Sequence, residues 1–313
     1  MKRFDPILVN QLKQQLEKFD NEVFPLPGIA DGDNMECFIK QVIDSIRRVK
    51  YVTTIKEKPL TGHCTNALSV GFNPIMAASW HLRNGDIDEA MWLVFLLTYF
   101  GKSKSSGWRL MRGFYSGLGS SPAYWTWKHA YHNKEDLEAW LLERAEEVKS
   151  LGVFSNHRRY TSFKANSKKG PLFVFSNYFK WVGNNGSHIA KFDSLETLSK
   201  EADNPLFKVF YDSIPSGLSM NRLGKFDFLT MISKLGIVNM IADSTYMKGA
   251  TGPLPGAKLL FWGSGKIDVN IKEIQMRMDT LASYLGYQHA MQILEDSVCN
   301  WQKDPSNYKW FTG

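Results

Sequence analysis

Cysteine is scarce in this sequence, and the few cysteines lie far apart. The 313-residue chain has three, at positions 37, 64 and 299, and none belongs to a CxxC or CxxH pair. Isolated thiols cannot complete a four-ligand zinc cluster, and His157 and His188 are too far apart in the chain to help. The HxE and PCxxC motifs of zinc deaminases are also absent. We therefore expect reduced thiols, no metal and no cofactor.

Long apolar stretches and two catalytic signatures are missing as well. The most apolar run, residues 90–100, is far shorter than the roughly 20 residues that a membrane span needs, and the N-terminus lacks the apolar core of a signal peptide. Neither the GxxxxGK[ST] pattern of P-loop kinases nor the GxSxG pattern of serine hydrolases occurs. These absences predict a soluble cytoplasmic protein without a membrane partner, and they argue against both enzyme classes.

The chain does have ample apolar sequence and an excess of positive charge. Hydrophobic residues make up 43% of it, which suits one domain spanning 1–313 with a sizeable core. The formal net charge is +7, which favours a polyanionic partner, with nucleic acid as the leading candidate. We expect the protein to be a monomer.

Helix start and stop signals dominate the pattern along the chain. Asn73 caps a short helix that stops near Gly85, and Asp86 caps a buried helix that stops at Gly101. Few segments alternate with period two, so a sheet would have to be small. The sequence therefore predicts a mainly α-helical fold.

Two polar loops, 162–171 and 181–188, are the best candidates for a boundary inside the chain. Both are rich in glycine, asparagine and lysine, as exposed loops usually are. They suggest a single domain with two helical lobes, at 1–161 and 188–313.

Residues 248–252, KGATG, place two glycines just before a helix that begins at Pro253. Glycine permits a positive φ and the close approach of a phosphate to backbone N–H groups. With the helical pattern at 225–236, this layout suggests a helix-hairpin-helix, which grips one DNA strand through main-chain amides. An ordinary turn between packed helices is the alternative. The residues expected to contact DNA here are Lys248, Gly249, Thr251, Gly252 and Lys258.

Six phrases spread over residues 35–303 resemble one known family. They are GFNPIMAASWHLRNGDIDEAMWLVFLLTYFGKS (71–103), GWRLMRGFY (107–115), FSNHRRY (154–160), GKFDFLTMISKLG (224–236), GATGPLPGAKLLF (249–261) and LEDSVCNWQK (294–303). As a set they resemble the bacterial and phage α-glutamyl/putrescinyl thymine pyrophosphorylases of clade 3. The resemblance implies a branch of the DNA glycosylase superfamily, with a two-lobed helical fold, a helix-hairpin-helix, a cleft between lobes, and double-stranded DNA carrying modified bases as partner.

Asp268 is the expected catalytic residue. It follows Gly252 by 268 − 252 = 16 positions and precedes a helix, which resembles the hairpin and catalytic aspartate of helix-hairpin-helix DNA glycosylases. The loop is shorter than in those enzymes, and their lyase lysine and iron–sulfur cysteines have no counterpart. A carboxylate here would stabilise the positive charge that develops on deoxyribose as the base leaves. The alternative is a helix cap, and Asp227, Asp243 and Glu295 are the other carboxylates to consider.

The phrase SNHRRY combines several hydrogen-bonding side chains within a few positions. With the family resemblance, we expect Asn156, His157 and Tyr160 to line a pocket for a flipped base, and Arg158 to contact DNA. The alternative is a capping asparagine, a satisfied histidine and solvated arginines.

The segment 101–112 is basic and contains a tryptophan. Its residues Lys102, Arg109 and Arg112 suit contacts to the phosphate backbone, although exposed lysines are common in loops. A group of aromatic residues further along is expected in the core rather than on DNA bases. Its members are Tyr124, Trp125, Trp127 and Tyr131.

Three functions fit these residues. The first is a DNA glycosylase that excises a hypermodified pyrimidine, such as a glucosylated 5-hydroxymethylpyrimidine, from phage DNA and leaves an abasic site as an anti-phage defence. The second is a pyrophosphorylase or transferase acting on activated 5-hydroxymethylpyrimidines, for which Arg109, Arg112 and Arg158 are the only candidates to hold pyrophosphate. The third is a DNA-binding module without chemistry. The carboxylate after the hairpin favours the first.

Overall fold

The computed structural model describes residues 3–119, 125–158 and 161–311, and helices account for most of them. Within those ranges there is no β-strand, only an isolated bridge between Ser103 and Gly107. The predicted mainly α-helical fold is therefore confirmed. In chain order the helices are α1 Pro6–Glu22, α2 Gly32–Ile55, α3 Pro74–Arg83, α4 Ile87–Phe100, α5 Arg109–Tyr115, α6 Trp127–His132, α7 Lys134–Ser150, α8 Pro171–Val182, α9 His188–Ala202, α10 Leu206–Ser213, α11 Arg222–Leu235, α12 Pro253–Trp262, α13 Ile271–Leu285 and α14 Ala290–Trp301.

The chain divides into two compact units. The first unit joins Met1–Tyr51 to Ile241–Phe311, and the second consists mainly of Val52–Met240. This division differs from the lobes expected at 1–161 and 188–313, because the two terminal parts of the chain share one core. Whether the chain acts as a single domain over 1–313 stays a prediction.

The first unit is built from α1, most of α2, and α12 to α14. The helical period of residues 34–50 places five apolar residues on one stripe of α2, at Met35, Phe38, Val42, Ile46 and Val49. Phe38, Val42 and Ile46 of this stripe are buried in the core of the unit. Two glycines bring backbones into contact here: a Cβ at Gly256 would overlap the backbone of α14, and a Cβ at Gly28 would overlap that of α12. These helices therefore pack more closely than side chains would allow.

The second unit surrounds α4, in which every residue from Glu89 to Phe100 is buried. Aromatic rings from α6 and α8 pack against it, and the indole of Trp92 lies 5.7 Å from that of Trp127 between ring centroids. The expected core placement of the aromatic group is confirmed for its members Trp125, Trp127 and Tyr131. Tyr124 lies outside the described residues.

The start of α4 carries the capping interaction that the sequence predicts. The Asp86 side chain accepts a hydrogen bond from the backbone N–H of Glu89 at 3.2 Å. The Glu89 carboxylate is itself buried and accepts from the Tyr115 hydroxyl at 2.5 Å and from the Trp127 backbone N–H at 2.6 Å. Burial raises the pKa of Glu89 to about 7, and these two hydrogen bonds only partly oppose that effect.

A second buried polar chain ties α9 to the start of α4. One carboxylate oxygen of Asp88 accepts from both the backbone N–H and Nδ1 of His188, each at 2.7 Å. The other ring nitrogen of His188 lies 2.8 Å from the Tyr178 hydroxyl. Burial lowers the pKa of His188 although Asp88 opposes the shift, so the neutral ring links the two groups. This contact spans 100 positions of sequence, and nothing in the sequence pattern signals it.

Two further features complete the fold. None of the helices in the described ranges is both long enough and apolar enough to cross a membrane. Cys37, Cys64 and Cys299 form no disulfide with one another.

We expect Glu89→Gln to remove a pH dependence of stability. The ordinary pKa of this carboxyl is 4.5, and in the folded protein it is about 7. The folded state holds the Glu89 proton more tightly than the unfolded state does. Protonation of Glu89 therefore stabilises the fold fully below pH 4.5, and this stabilisation is lost as the pH rises through 7. Between those limits the wild-type free energy of unfolding should fall by about 1–3 kcal/mol relative to Glu89→Gln. The glutamine oxygen can accept from the Trp127 N–H while its NH2 group donates to the Tyr115 hydroxyl oxygen.

Urea denaturation of both proteins at several pH values between 4.5 and 8 measures this difference. The exposed Glu138→Gln is the matched control, because it makes the same chemical change in solvent. If the difference in free energy of unfolding between the wild type and Glu89→Gln did not vary with pH, the raised pKa of Glu89 would be contradicted.

Candidate functional site

Three loops meet at the C-terminal end of α4 in the second unit: residues 101–108, 153–158 and 161–170. The carbonyl of Phe100 accepts from the backbone N–H of Ser155 at 3.1 Å, and Tyr99 donates its hydroxyl proton to the carbonyl of Ser162 at 3.2 Å. Gly101 has a φ of +64°, and an added Cβ would overlap the Ser155 side chain. We call the exposed face of these three loops the α4-end surface.

Arg158 anchors this surface to the helix beneath it. Its side chain is only 10% exposed. Nε donates to the carbonyl of Thr98 at 2.7 Å, and Nη2 pairs with Asp227 at 2.9 Å. A cation is favourable at this end because the last carbonyls of a helix are unpaired and carry partial negative charge. The guanidinium of Arg158 therefore holds the turn Asn156–Arg158 in place.

The other expected DNA-binding and base-reading residues of the second unit fall into two groups. Lys102, Arg109, Asn156 and His157 are exposed on or beside the α4-end surface. Arg112 instead donates to the carbonyl of Ser69 at 3.0 Å, so part of its guanidinium is used within the protein. Tyr160 lies outside the described residues. The structure thus gathers residues from two separate segments that the sequence analysis treated independently.

In the first unit, the tight turn before α12 lies slightly earlier than expected. The backbone N–H of Ala250 donates to the carbonyl of Met247 at 3.0 Å, so the turn spans 247–250 rather than 249–252. Gly249 has a φ of +79°, and its Cβ position faces open space. Lys248 and Thr251 are exposed beside it. Only the first glycine therefore has the conformation that the proposed turn requires.

Gly252 has a different role. Its φ is −91°, which any residue adopts, and an added Cβ would lie 2.6 Å from Sγ of Cys299 on α14. The glycine is thus needed for packing. Pro253 and Pro255 also remove two N–H groups from the first turn of α12. This turn therefore offers fewer amide donors to a phosphate than the sequence analysis assumed.

The predicted hairpin does not join α11 directly to α12. α11 ends at Leu235, and residues 236–252 are not helical. α11 packs on α4 and α10 in the second unit, whereas α12 packs on α13 and α14 in the first. The segment before α12 is held by α13, since Asp279 accepts from the Thr245 backbone N–H at 2.7 Å.

Asp268 lies in the loop between α12 and α13 and is exposed. The N-cap of α13 is Asn270, whose side chain accepts from the Lys272 backbone N–H at 2.9 Å. The alternative in which Asp268 caps this helix is therefore wrong. Within the described part of the chain, we find no hydrogen bond or ion pair to its side chain. The loop folds back on α12, because a Cβ at Gly265 would lie 3.2 Å from the carbonyl oxygen of Pro255.

The other three carboxylates considered from the sequence are paired, hydrogen-bonded or buried. Asp227 pairs with Arg158 at 2.9 Å, Asp243 accepts from the Tyr246 hydroxyl at 2.9 Å, and Glu295 is 5% exposed. We refer to residues 247–270, which include the turn at 247–250, the half-buried Lys258 and Asp268, as the α12–α13 segment. Asp268 is the acid of this segment.

The comparison with protein families identifies where this chain belongs. Residues 33–313 match the model of the α-glutamyl/putrescinyl thymine pyrophosphorylase clade 3 family, so the chain belongs to that family. By its description, the family acts on modified thymine. No curated protein and no solved structure matches the chain. The resemblance seen in the six sequence phrases is confirmed.

Replacing Gly252 by alanine should destabilise the fold rather than remove a phosphate contact. The new methyl group meets Sγ of Cys299, and overpacking of this kind costs about 1–3 kcal/mol. The cost should shrink when Cys299 is also replaced by alanine, because the two positions then no longer overlap. Urea denaturation of the wild type, both single variants and the double variant measures this coupling. If Gly252→Ala weakened DNA binding without changing stability, the glycine would instead belong to a phosphate clamp.

Proposed function

We propose that this member of the α-glutamyl/putrescinyl thymine pyrophosphorylase family is a monofunctional DNA glycosylase. It would act on double-stranded phage DNA that carries a hypermodified pyrimidine, release the modified base and leave an abasic site. Such an activity would serve as a defence against phages. The proposal relates the chain to the helix-hairpin-helix DNA glycosylases through Asp268 and the segment before α12.

The chemistry begins with extrusion of the nucleotide. A base inside a duplex cannot be reached, so the enzyme flips it out, at a cost of about a few kcal/mol. Cleavage of the N-glycosidic bond then builds positive charge on the deoxyribose, while the departing base takes the bonding electron pair. An ionised carboxylate close to C1′ stabilises this charge and orients the attacking water.

The exposure of Asp268 is the observation that carries the proposal. A carboxylate that contacts the deoxyribose cannot at the same time be hydrogen-bonded to the first turn of a helix. Asn270, not Asp268, is the N-cap of α13. Asp268 also precedes a helix without contributing to its packing, so a substrate can approach it. The N-terminal end of α13 adds a favourable dipole for negative charge.

Exposed polar side chains of the second unit are separate candidates for contacts with DNA. Asn156 and His157 offer an amide and an imidazole for hydrogen bonds to a base edge or its substituent. Arg158 supports them by fixing their turn. In each unit, taken by itself, exposed basic and small residues are proposed to bind the DNA backbone. These are Lys102, Arg109, Lys248, Gly249, Thr251 and the half-buried Lys258.

Pyrophosphate displacement is the second candidate, and the family description favours it. In that reaction a nucleophile bonds to the 5-methylene carbon of an activated 5-hydroxymethylpyrimidine in DNA as the carbon–oxygen bond to pyrophosphate breaks, so pyrophosphate leaves with the electron pair and the glycosidic bond stays intact. The arginines expected to hold pyrophosphate are only partly available, because Arg158 is anchored to Thr98 and Asp227 and Arg112 donates to Ser69. Arg109 is exposed, but its Nε donates to the carbonyl of Ser106 at 3.3 Å. The two reactions release different products, so one assay separates them.

We expect Asp268→Asn to abolish base release while DNA binding persists. Asparagine keeps the size of the side chain but removes the charge that stabilises a cationic sugar. Loss of such a group costs on the order of a hundredfold or more in rate. The measurement incubates each protein with plain, hydroxymethylated and glucosylated phage DNA and then quantifies free base, pyrophosphate and abasic sites. Thermal unfolding confirms that the variant is folded.

Asp243→Asn is the matched control, because it removes an equal charge from an exposed position of the same unit. It should retain activity. Full activity in Asp268→Asn would refute the catalytic assignment. Release of pyrophosphate without free base would replace the glycosylase reaction by the second candidate, and binding without any product would leave a DNA-binding module.

A further inference from the structure

We propose that the loop 161–170 is a DNA-backbone contact of the α4-end surface, with Lys164, Lys168 and Lys169 binding phosphates. By its composition alone, this stretch is expected to be an exposed boundary loop. The inference rests on the proposed function in one respect, namely that the partner is duplex DNA. It does not depend on which reaction the protein catalyses.

The loop 161–170 packs against the C-terminal end of α4 and is closed by a backbone hydrogen bond. Phe163 is 2% exposed, and its ring lies 5.6 Å from that of Phe100 between centroids. The backbone N–H of Ser162 donates to the carbonyl of Lys169 at 3.3 Å, which closes the loop at its base. An added Cβ at Gly170 would overlap the carbonyl of Lys164. The three lysines therefore project from an ordered turn, which lowers the entropy cost of binding.

The segments that form this surface carry no acidic side chain. Residues 101–112 and 153–170 contain no aspartate or glutamate. Asp227 of α11, which contacts Arg158, is engaged in that ion pair. All three lysines are exposed, and none forms an ion pair with another described residue. Their positive potential thus adds to that of Lys102 and Arg109 on the same surface.

The position of the loop and the wide spacing of its basic side chains favour a nucleic-acid backbone over a single phosphate ion as the ligand. The backbone N–H of Thr161 donates to the carbonyl of Arg158 at 2.8 Å, so the loop continues directly from the turn that carries Asn156 and His157. The exposed cations come from two of the loops and from the first residue of α5, so they are spread over the surface. A free phosphate needs converging donors, whereas duplex DNA carries regularly spaced charges that separate lysines can neutralise.

The test compares two double variants that remove equal charge. Lys168→Gln with Lys169→Gln changes the loop, and Lys128→Gln with Lys180→Gln changes exposed lysines elsewhere in the second unit. The control lysines belong to the opposite end of α4. Lys128 follows Trp127, whose N–H is held by Glu89, and Lys180 lies in the last turn of α8. A helix of 14 residues separates the two ends by about 21 Å.

Fluorescence anisotropy with an unmodified DNA duplex, repeated over a series of salt concentrations, measures affinity. The loop variant should bind about tenfold more weakly at low salt, and the slope of log affinity against log salt should fall by about 1–2, since each phosphate contact contributes about 0.9. The control variant should match the wild type.

If the loop variant and the control both bound DNA with wild-type affinity, this inference would be overturned and the proposed function would stand. Equal losses in both variants would also overturn it, because they would indicate a net-charge effect. A wild-type protein that does not bind duplex DNA would refute the DNA partner in the proposed function, and this inference with it. Competition by inorganic phosphate at low concentration would assign the lysines to a free anion instead.

Discussion

The burial of α4 from Glu89 to Phe100 is the constraint on which the second unit depends. A helix ends with unpaired N–H and carbonyl groups, and in an apolar interior water cannot satisfy them. Protein groups must therefore take the place of water at the buried C-terminal end, and they also pair with groups at the more exposed N-terminal end. At the start, Asp86 caps the helix and the carboxylates of Asp88 and Glu89 hold neighbouring segments. At the far end, backbone carbonyls are satisfied by the guanidinium of Arg158 and by the loop that contains Ser155.

This requirement explains why loops with little in common in sequence lie side by side. Each of the three loops at the end of α4 satisfies one of its carbonyls or packs on one of its last aromatic residues. The negative end of the helix also suits basic neighbours. A structural need at the buried end of a helix thus produces an exposed basic surface, and the same contacts that anchor Arg158 present Asn156 and His157 to solvent.

The first unit shows how one glycine-rich segment serves two purposes. Gly249 takes a left-handed conformation in an exposed turn, whereas Gly252 makes room for Cys299. Proline at two of the first positions of α12 starts the helix well but removes amide donors from it. The proposed chemistry therefore depends mainly on Asp268 as the catalytic carboxylate. Its side chain is left exposed because Asn270 caps α13.

Local signals in the sequence determined the helical class, the caps at Asn73 and Asp86, and the buried stripe of α2, because these depend on neighbours within about one turn. The family could also be recognised from the sequence, since its phrases recur as a set. Tertiary structure alone decided which acid is free, which arginine is an anchor, and which loops share a surface. Those outcomes depend on contacts such as that of His188 with Asp88, which join residues 100 positions apart. Pairing at that distance leaves no periodic trace in the chain, because only packing brings the partners together.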